Sequence, residues 1–169
     1  MNKGFTIIES LVAITILIIG VLGPMTAATR GITDGYYAQN QLIATHLAQE
    51  ALELASVQLK NNYANNAPFL NNIDNCSSGC AVVVKPKSDV SFSFETCSIN
   101  NNCKMAYNAT EGFYRYGAGI GAEFTRTLTV TDLDPGNNTQ ALLEAKVTWV
   151  NKIGSTQKDV TLYRYAINY

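Results

Sequence analysis

Glu9 is the only acid in the run Phe5-Thr6-Ile7-Ile8-Glu9-Ser10-Leu11-Val12-Ala13 and the apolar stretch that follows it to Pro24. A charged side chain inside a membrane helix costs roughly 2.5–3.5 kcal/mol on insertion scales, so such a group calls for a partner. The other candidate chemistry lies beyond this run. Cys76, Cys80, Cys97 and Cys103 fall on one side of it, and an even count in an oxidising compartment favours two disulfides. Zinc is the rival reading, but spacings of four and six around Asn and Ser do not make a zinc ribbon, and His46 is remote. Three pairings are open. Cys76–Cys80 with Cys97–Cys103 closes two small loops and is preferred, while Cys80–Cys97 with Cys76–Cys103 staples a hairpin near Pro86-Lys87-Ser88-Asp89.

Asp132-Leu133-Asp134-Pro135-Gly136-Asn137-Asn138 is rich in oxygen ligands and could hold calcium, although Asp-Pro-Gly turn chemistry explains the same residues. His46 reads as a helix-surface residue, since one histidine without nearby Cys or Asp makes neither triad nor metal site. Asn108-Ala109-Thr110 and Asn137-Asn138-Thr139 fit the N-glycosylation tripeptide, a pattern that arises often by chance. No Ser/His/Asp set, phosphate-binding glycine loop or acid–base carboxylate pair stands out, so no catalysis and no cofactor or metal is expected. Twelve basic and thirteen acidic residues give a net charge of −1 with no basic run, so nucleic-acid binding gains no support.

The elements that carry these residues divide the chain. From Phe5 to Ala28 no residue is basic, and the run is long enough to span a bilayer as a helix of about 20 residues. Lys3 on one side and Arg30 on the other place Met1–Gly4 in the cytoplasm by the positive-inside rule. A secretory signal peptide cut near Met25-Thr26-Ala27-Ala28 is the plainer alternative, but an acid in its core would be odd. Pro24 deprives the Gly20 carbonyl of its helical donor, and Gly20 and Gly23 weaken the same turn, so a kink or a locally flexible helix is expected there. Ile43, Leu47, Leu54 and Val57 then form a stripe with Gln49, Glu50, Glu53, Gln58 and Lys60 off it, an amphipathic continuation to Asn62. Unbroken from Phe5 to Asn62, this helix would be about 87 Å long.

Beyond Pro68 the period changes. Ala81–Lys85, Val90–Thr96, Lys104–Tyr107, Gly112–Tyr116, Phe124–Thr131, Leu142–Val150 and Asp159–Asn168 are runs rich in β-branched and aromatic residues, separated by turn formers. Phe124, Arg126, Leu128 and Val130 share one face; Thr125, Thr127, Thr129 and Thr131 share the other. Trp149, Tyr114, Tyr116, Tyr163 and Tyr165 read as strand packing. The fold class is α+β: a long N-terminal α-helix, its first half transmembrane, packed on a C-terminal antiparallel β-sheet head. The expected divisions are a short basic start at 1–4, a membrane half-helix at 5–28, an amphipathic half-helix at 29–62 and a disulfide-containing head at 63–169.

Gly4-Phe5-Thr6-Ile7-Ile8-Glu9-Ser10-Leu11-Val12-Ala13 closely resembles the class III signal of type IV prepilins and type II secretion pseudopilins. The specific match covers residues 3–19, and only the layout agrees elsewhere. The resemblance implies cleavage between Gly4 and Phe5 by a membrane prepilin peptidase, N-methylation of Phe5 and retention of the helix. A glycine at the cut lets backbone enter a tight protease cleft. The new Phe5 amine lies one helical turn from Glu9, so the two can pair within one chain. In the family, the carboxylate is thought to meet the terminal amine of a neighbouring subunit, and filaments show a melted stretch near a helix proline. Pro24 lies slightly nearer the start than is usual.

The implied function is a structural minor pilin or pseudopilin, closest to the PilV and GspI types. It would sit as a single-pass protein in the inner membrane with its head outside, then enter a type IV pilus or a type II secretion pseudopilus. Its partners would be the prepilin peptidase, other pilins, the inner-membrane assembly platform and membrane lipid. A major pilin is the alternative within this class. A membrane-tethered extracytoplasmic binding module that never polymerises is the alternative outside it.

Overall fold

A computed structural model describes residues 6–85, 91–97, 103–116, 122–137, 139–150 and 156–168. One helix, α1 (Ile7–Ala64), precedes a short 3-10 turn (Asp74–Ser78) and seven strands. The strands are β1 (Cys80–Lys85), β2 (Ser91–Thr96), β3 (Lys104–Asn108), β4 (Phe113–Tyr116), β5 (Ala122–Asp132), β6 (Gln140–Val150) and β7 (Gln157–Ile167). The expected α+β class and antiparallel sheet are both present. The chain divides into two units between Gln39 and Asn40, inside α1.

The first stretch of α1 contains a window long and apolar enough to cross a membrane, none of it buried. Ile7, Leu11, Ile14, Leu17, Ile18, Val21 and Leu22 are all exposed. Helical structure continues without interruption through Pro24. Several hydroxyls fold back onto the helix, Thr15 donating to the Val12 carbonyl and Thr26 to the Gly23 carbonyl, each at 2.8 Å. Such back-bonds satisfy polar side chains where the surroundings offer no other acceptor.

In the second unit α1 is rich in Ala, Leu, Gln and Glu, all strong helix formers. Its buried positions are Ala44, Leu47, Ala48, Ala51, Leu52, Ala55, Leu59 and Asn62. The expected stripe is therefore corrected. Leu47 holds, but Ile43 and Leu54 are only half-buried and Val57 is exposed. Large side chains marked one face, whereas alanines at 44, 48, 51 and 55 make up half of the buried one, beside Leu47, Leu52 and Leu59. Asn66 ends the helix in a left-handed conformation (φ 51°), and Pro68 prevents its resumption. Buried Asn62 fixes the chain that follows, donating to the Phe69 carbonyl at 2.9 Å and the Asn71 carbonyl at 2.8 Å.

The sheet forks at β5. One edge of β5 pairs along its length with β6, which pairs with β7. The other edge is shared: β3 takes its start (Met105↔Phe124, Lys104↔Thr125), and β1 meets it further on at Cys80↔Leu128. β4 pairs with β3, and β2 with β1. The core lies on the face that carries Phe124, Leu128, Val130, Ala141, Leu143, Ala145, Val147 and Trp149. Each such large apolar side chain contributes about 1.5–3 kcal/mol when fully buried.

Candidate functional site

Glu9 lies in the first turns of α1, on an exposed surface of isoleucine, leucine and valine. Its N–H donates to the Thr6 carbonyl at 3.1 Å, which places the carboxylate inside regular helix from the start. Among the described residues, no side chain pairs with that carboxylate. Gly4 and Phe5, the expected processing residues, lie outside the described residues. Gly20 and Gly23 have open space where a Cβ would stand. They and Pro24 occupy continuous helix, so the anticipated weak turn keeps helical form here.

Arg126, on the apolar face of β5, is only 2% exposed. The alternation that places Phe124, Leu128 and Val130 inside also forces this guanidinium inside, at the fork. The reason is visible in β1. The Cys97 N–H donates to the Gly79 carbonyl, so Gly79, Ala81 and Val83 turn their main-chain groups toward β2. Val82 therefore faces the β5 side, where the strands have diverged. The Arg126 Nη2 donates to the Val82 carbonyl at 2.9 Å, supplying the bond that a strand would otherwise supply. Its Nη1 donates to the Leu47 carbonyl at 3.2 Å and to the Glu50 Oε2 at 2.9 Å. Burial pulls the Arg126 guanidinium below the usual arginine range, and the charge and hydrogen bond of Glu50 oppose that pull.

A second arginine repeats the connection nearer the end of the helix. Arg164 on β7 donates from Nη1 to the Ser56 Oγ at 2.8 Å and from Nη2 to the Glu53 Oε1 at 2.6 Å. The hydrogen bond and charge of Arg164 hold the Glu53 carboxyl below the ordinary glutamate range, and the same hydrogen bond raises Arg164. Two sheet arginines thus grip two helix glutamates one turn apart. Sequence reasoning placed Glu50 and Glu53 off the apolar stripe and Arg126 on an apolar strand face. An arginine at an alternating core position was the signal that it needed an acidic partner across the interface.

The cysteines form Cys76–Cys80 and Cys97–Cys103, the local pairing. Both bridges lie beside the fork. Cys80 is the β1 residue that meets Leu128, and the Cys103 carbonyl accepts the Arg126 N–H at 3.0 Å. Gly79 stands between them with φ +100°, and a Cβ there would lie 2.7 Å from the Thr127 methyl.

The remaining candidates resolve into structure. Asp132 accepts the Asp134 N–H at 2.9 Å, and Asp134 accepts the Thr139 hydroxyl at 2.6 Å, so these oxygens hold a hairpin turn. Among the described residues no group of three His, Cys, Asp or Glu could hold a metal ion. The Asn108 Oδ1 accepts the Thr110 and Glu111 N–H groups, so its tripeptide also serves a turn. His46 is exposed on the helix, as expected. Trp149 is 3% exposed, with its ring centroid 6.3 Å from that of Phe124, which Tyr114 meets edge-on at 5.2 Å. Tyr163 and Tyr165 depart from the packing role, at 60% and 73% exposed, because among the described residues no layer covers the outer face of β7.

No family model, curated protein or solved structure matches the chain.

Proposed function

We propose that this chain is a structural filament subunit of the type IV pilus or type II secretion pseudopilus class, and a minor component of it. In this reading a prepilin peptidase cuts after Gly4, the Phe5 amine is methylated, and the mature subunit waits in the inner membrane with its head outside. An assembly platform then extracts it into a filament through the exposed apolar stretch of α1. The chain catalyses nothing itself.

The observation that carries this reading is the Glu9 carboxylate, held in regular helix on an exposed apolar surface with no partner among the described residues. A carboxylate left alone in lipid is costly, and docking against the terminal amine of a neighbouring subunit would offset that cost. Its main product would be register, because every other axial offset leaves the charge unmet. The arginine–glutamate grip supports the same reading. A head joined to α1 by charge-assisted bonds as well as apolar contact resists separation from the helix that is pulled.

Glu9→Leu tests the role. The variant should insert into the membrane and fold its head as the parent does, yet fail to enter filaments sheared from cells. Normal incorporation would remove the carboxylate from the mechanism.

A further inference from the structure

A cleft of about 380 Å³ is bounded by Gln58 of α1, the loop that follows the helix and strand β2. Its volume falls within the about 300–1,000 Å³ of small-molecule sites. The loop is tied at several points. Ile73 and Cys76 are fully buried, the Cys76–Cys80 bridge joins it to β1, and Asn62 holds its Phe69 and Asn71 carbonyls. Asn72 takes a left-handed conformation there (φ 66°). On this frame Asn71 and Asn72 line the cleft, and their side-chain amides hydrogen-bond to no described residue. Gln58 donates to the Asn62 Oδ1 at 2.8 Å, and its own Oε1 accepts from no described residue. On the β2 side stands half-buried Phe92, its ring edge-on to that of buried Phe94 with centroids 5.8 Å apart.

The donors and acceptors decide what fits. The described lining holds no lysine, arginine or histidine, so an anion would find no counter-charge there. Asp74 is the one acid in that lining, and no described group of three ligating side chains could hold a metal ion. One Asp74 oxygen accepts the Asn75 N–H at 3.0 Å. A hydroxyl both donates and accepts, as a side-chain amide does, so a neutral polyhydroxyl ligand can satisfy both ends of each amide. We propose that this cleft binds a pyranose sugar. Its hydroxyls meet Asn71, Asn72, Gln58 and the second oxygen of Asp74, and the apolar face of its ring lies on Phe92. A loop already tied down needs little ordering when the ligand arrives. The cleft is open to solvent, so the affinity should be weak, about millimolar. The proposal goes beyond the filament reading and rests on the head alone.

The test uses the full chain in dodecylphosphocholine micelles, which carry no sugar, and follows its side-chain amide signals by NMR. The probes are methyl glucoside, methyl galactoside, methyl mannoside and N-acetylglucosamine. At least one should shift the Asn71, Asn72 and Gln58 signals saturably, with half-saturation at about millimolar concentration. Inorganic phosphate and tetramethylammonium should not. Asn71→Ala and Asn72→Gly each remove an amide, the glycine keeping the left-handed backbone, and each should weaken binding about fivefold. Phe92→Leu keeps apolar bulk without the ring face and should also weaken binding. Trp149 fluorescence in urea checks the fold of each variant, and Asn71→Ala keeps the test intact even if Phe92→Leu folds poorly. No saturable shift with any of the sugars, equal shifts from phosphate, or unchanged affinity in both asparagine variants would each overturn the proposal.

Discussion

Removing Glu50 should harm the head more than removing the arginine it serves. Arg126 is 2% exposed and donates to three acceptors, only one of which is charged. Glu50→Ala leaves the guanidinium buried with two carbonyls and no counterion. Breaking a fully buried pair in this way costs about 3–5 kcal/mol. The Glu50 side chain is 42% exposed, so water screens the pair, and about 2 kcal/mol is the reasoned cost. Arg126→Met instead removes the buried charge along with its bonds. The Val82 carbonyl then lacks a donor, a loss of about 1–3 kcal/mol, offset by the desolvation no longer incurred. The net should be about 1 kcal/mol or less, and the double variant should resemble Arg126→Met alone. Trp149 is the only tryptophan and lies in the core, so its fluorescence follows unfolding of the head in urea. The reasoning is refuted if Arg126→Met is the more destabilising of the two. It is refuted equally if Glu50→Ala costs less than the roughly 0.5 kcal/mol of an ordinary surface pair.

Three further outcomes follow from the same fork and its neighbour. Gly79→Ala combines a left-handed backbone with a Cβ 2.7 Å from Thr127, and should lower stability by about 2 kcal/mol or more in the same urea titration. Reducing both disulfides should lower stability by about 2 kcal/mol each, the amount expected for closing such short loops. A titration with and without thiol reductant measures that drop, and an unchanged midpoint would count against it. The Glu53 carboxyl is depressed in the folded chain, so its contribution is present above the unfolded pKa and is lost as pH falls through the lower folded value. Thermal melts between neutral pH and the acid side of 4.5 should therefore show a steeper loss in the parent than in Glu53→Gln; parallel curves would contradict the assignment.

Much of this architecture is legible in the chain because local signals and burial agree. β5 and β6 alternate strictly between inside and outside, and each of the seven strands begins and ends within two residues of its expected bounds. The helix face was misplaced because hydrophobic bulk is a poor guide where half of the buried positions are alanine. Alanines 44, 48, 51 and 55 are fully buried, yet alanine is equally at home in an exposed helix. Arg126 could be placed on the inner face by parity, but its partners come from residues 44 and 76 positions away. Strand order and the fork depend on such long-range pairing and leave no local trace. That β7 is outermost among the described strands was likewise hidden, since only the sheet order shows it.

The mature amino terminus tests the central claim most directly. Intact-mass and terminal-peptide measurement on protein from the native membrane should find a chain beginning at N-methylated Phe5, with its apolar helix retained. A working population that still begins at Met1, or one cut beyond Ala28, would mean that no neighbour's new terminus ever meets Glu9, and the filament account would be wrong.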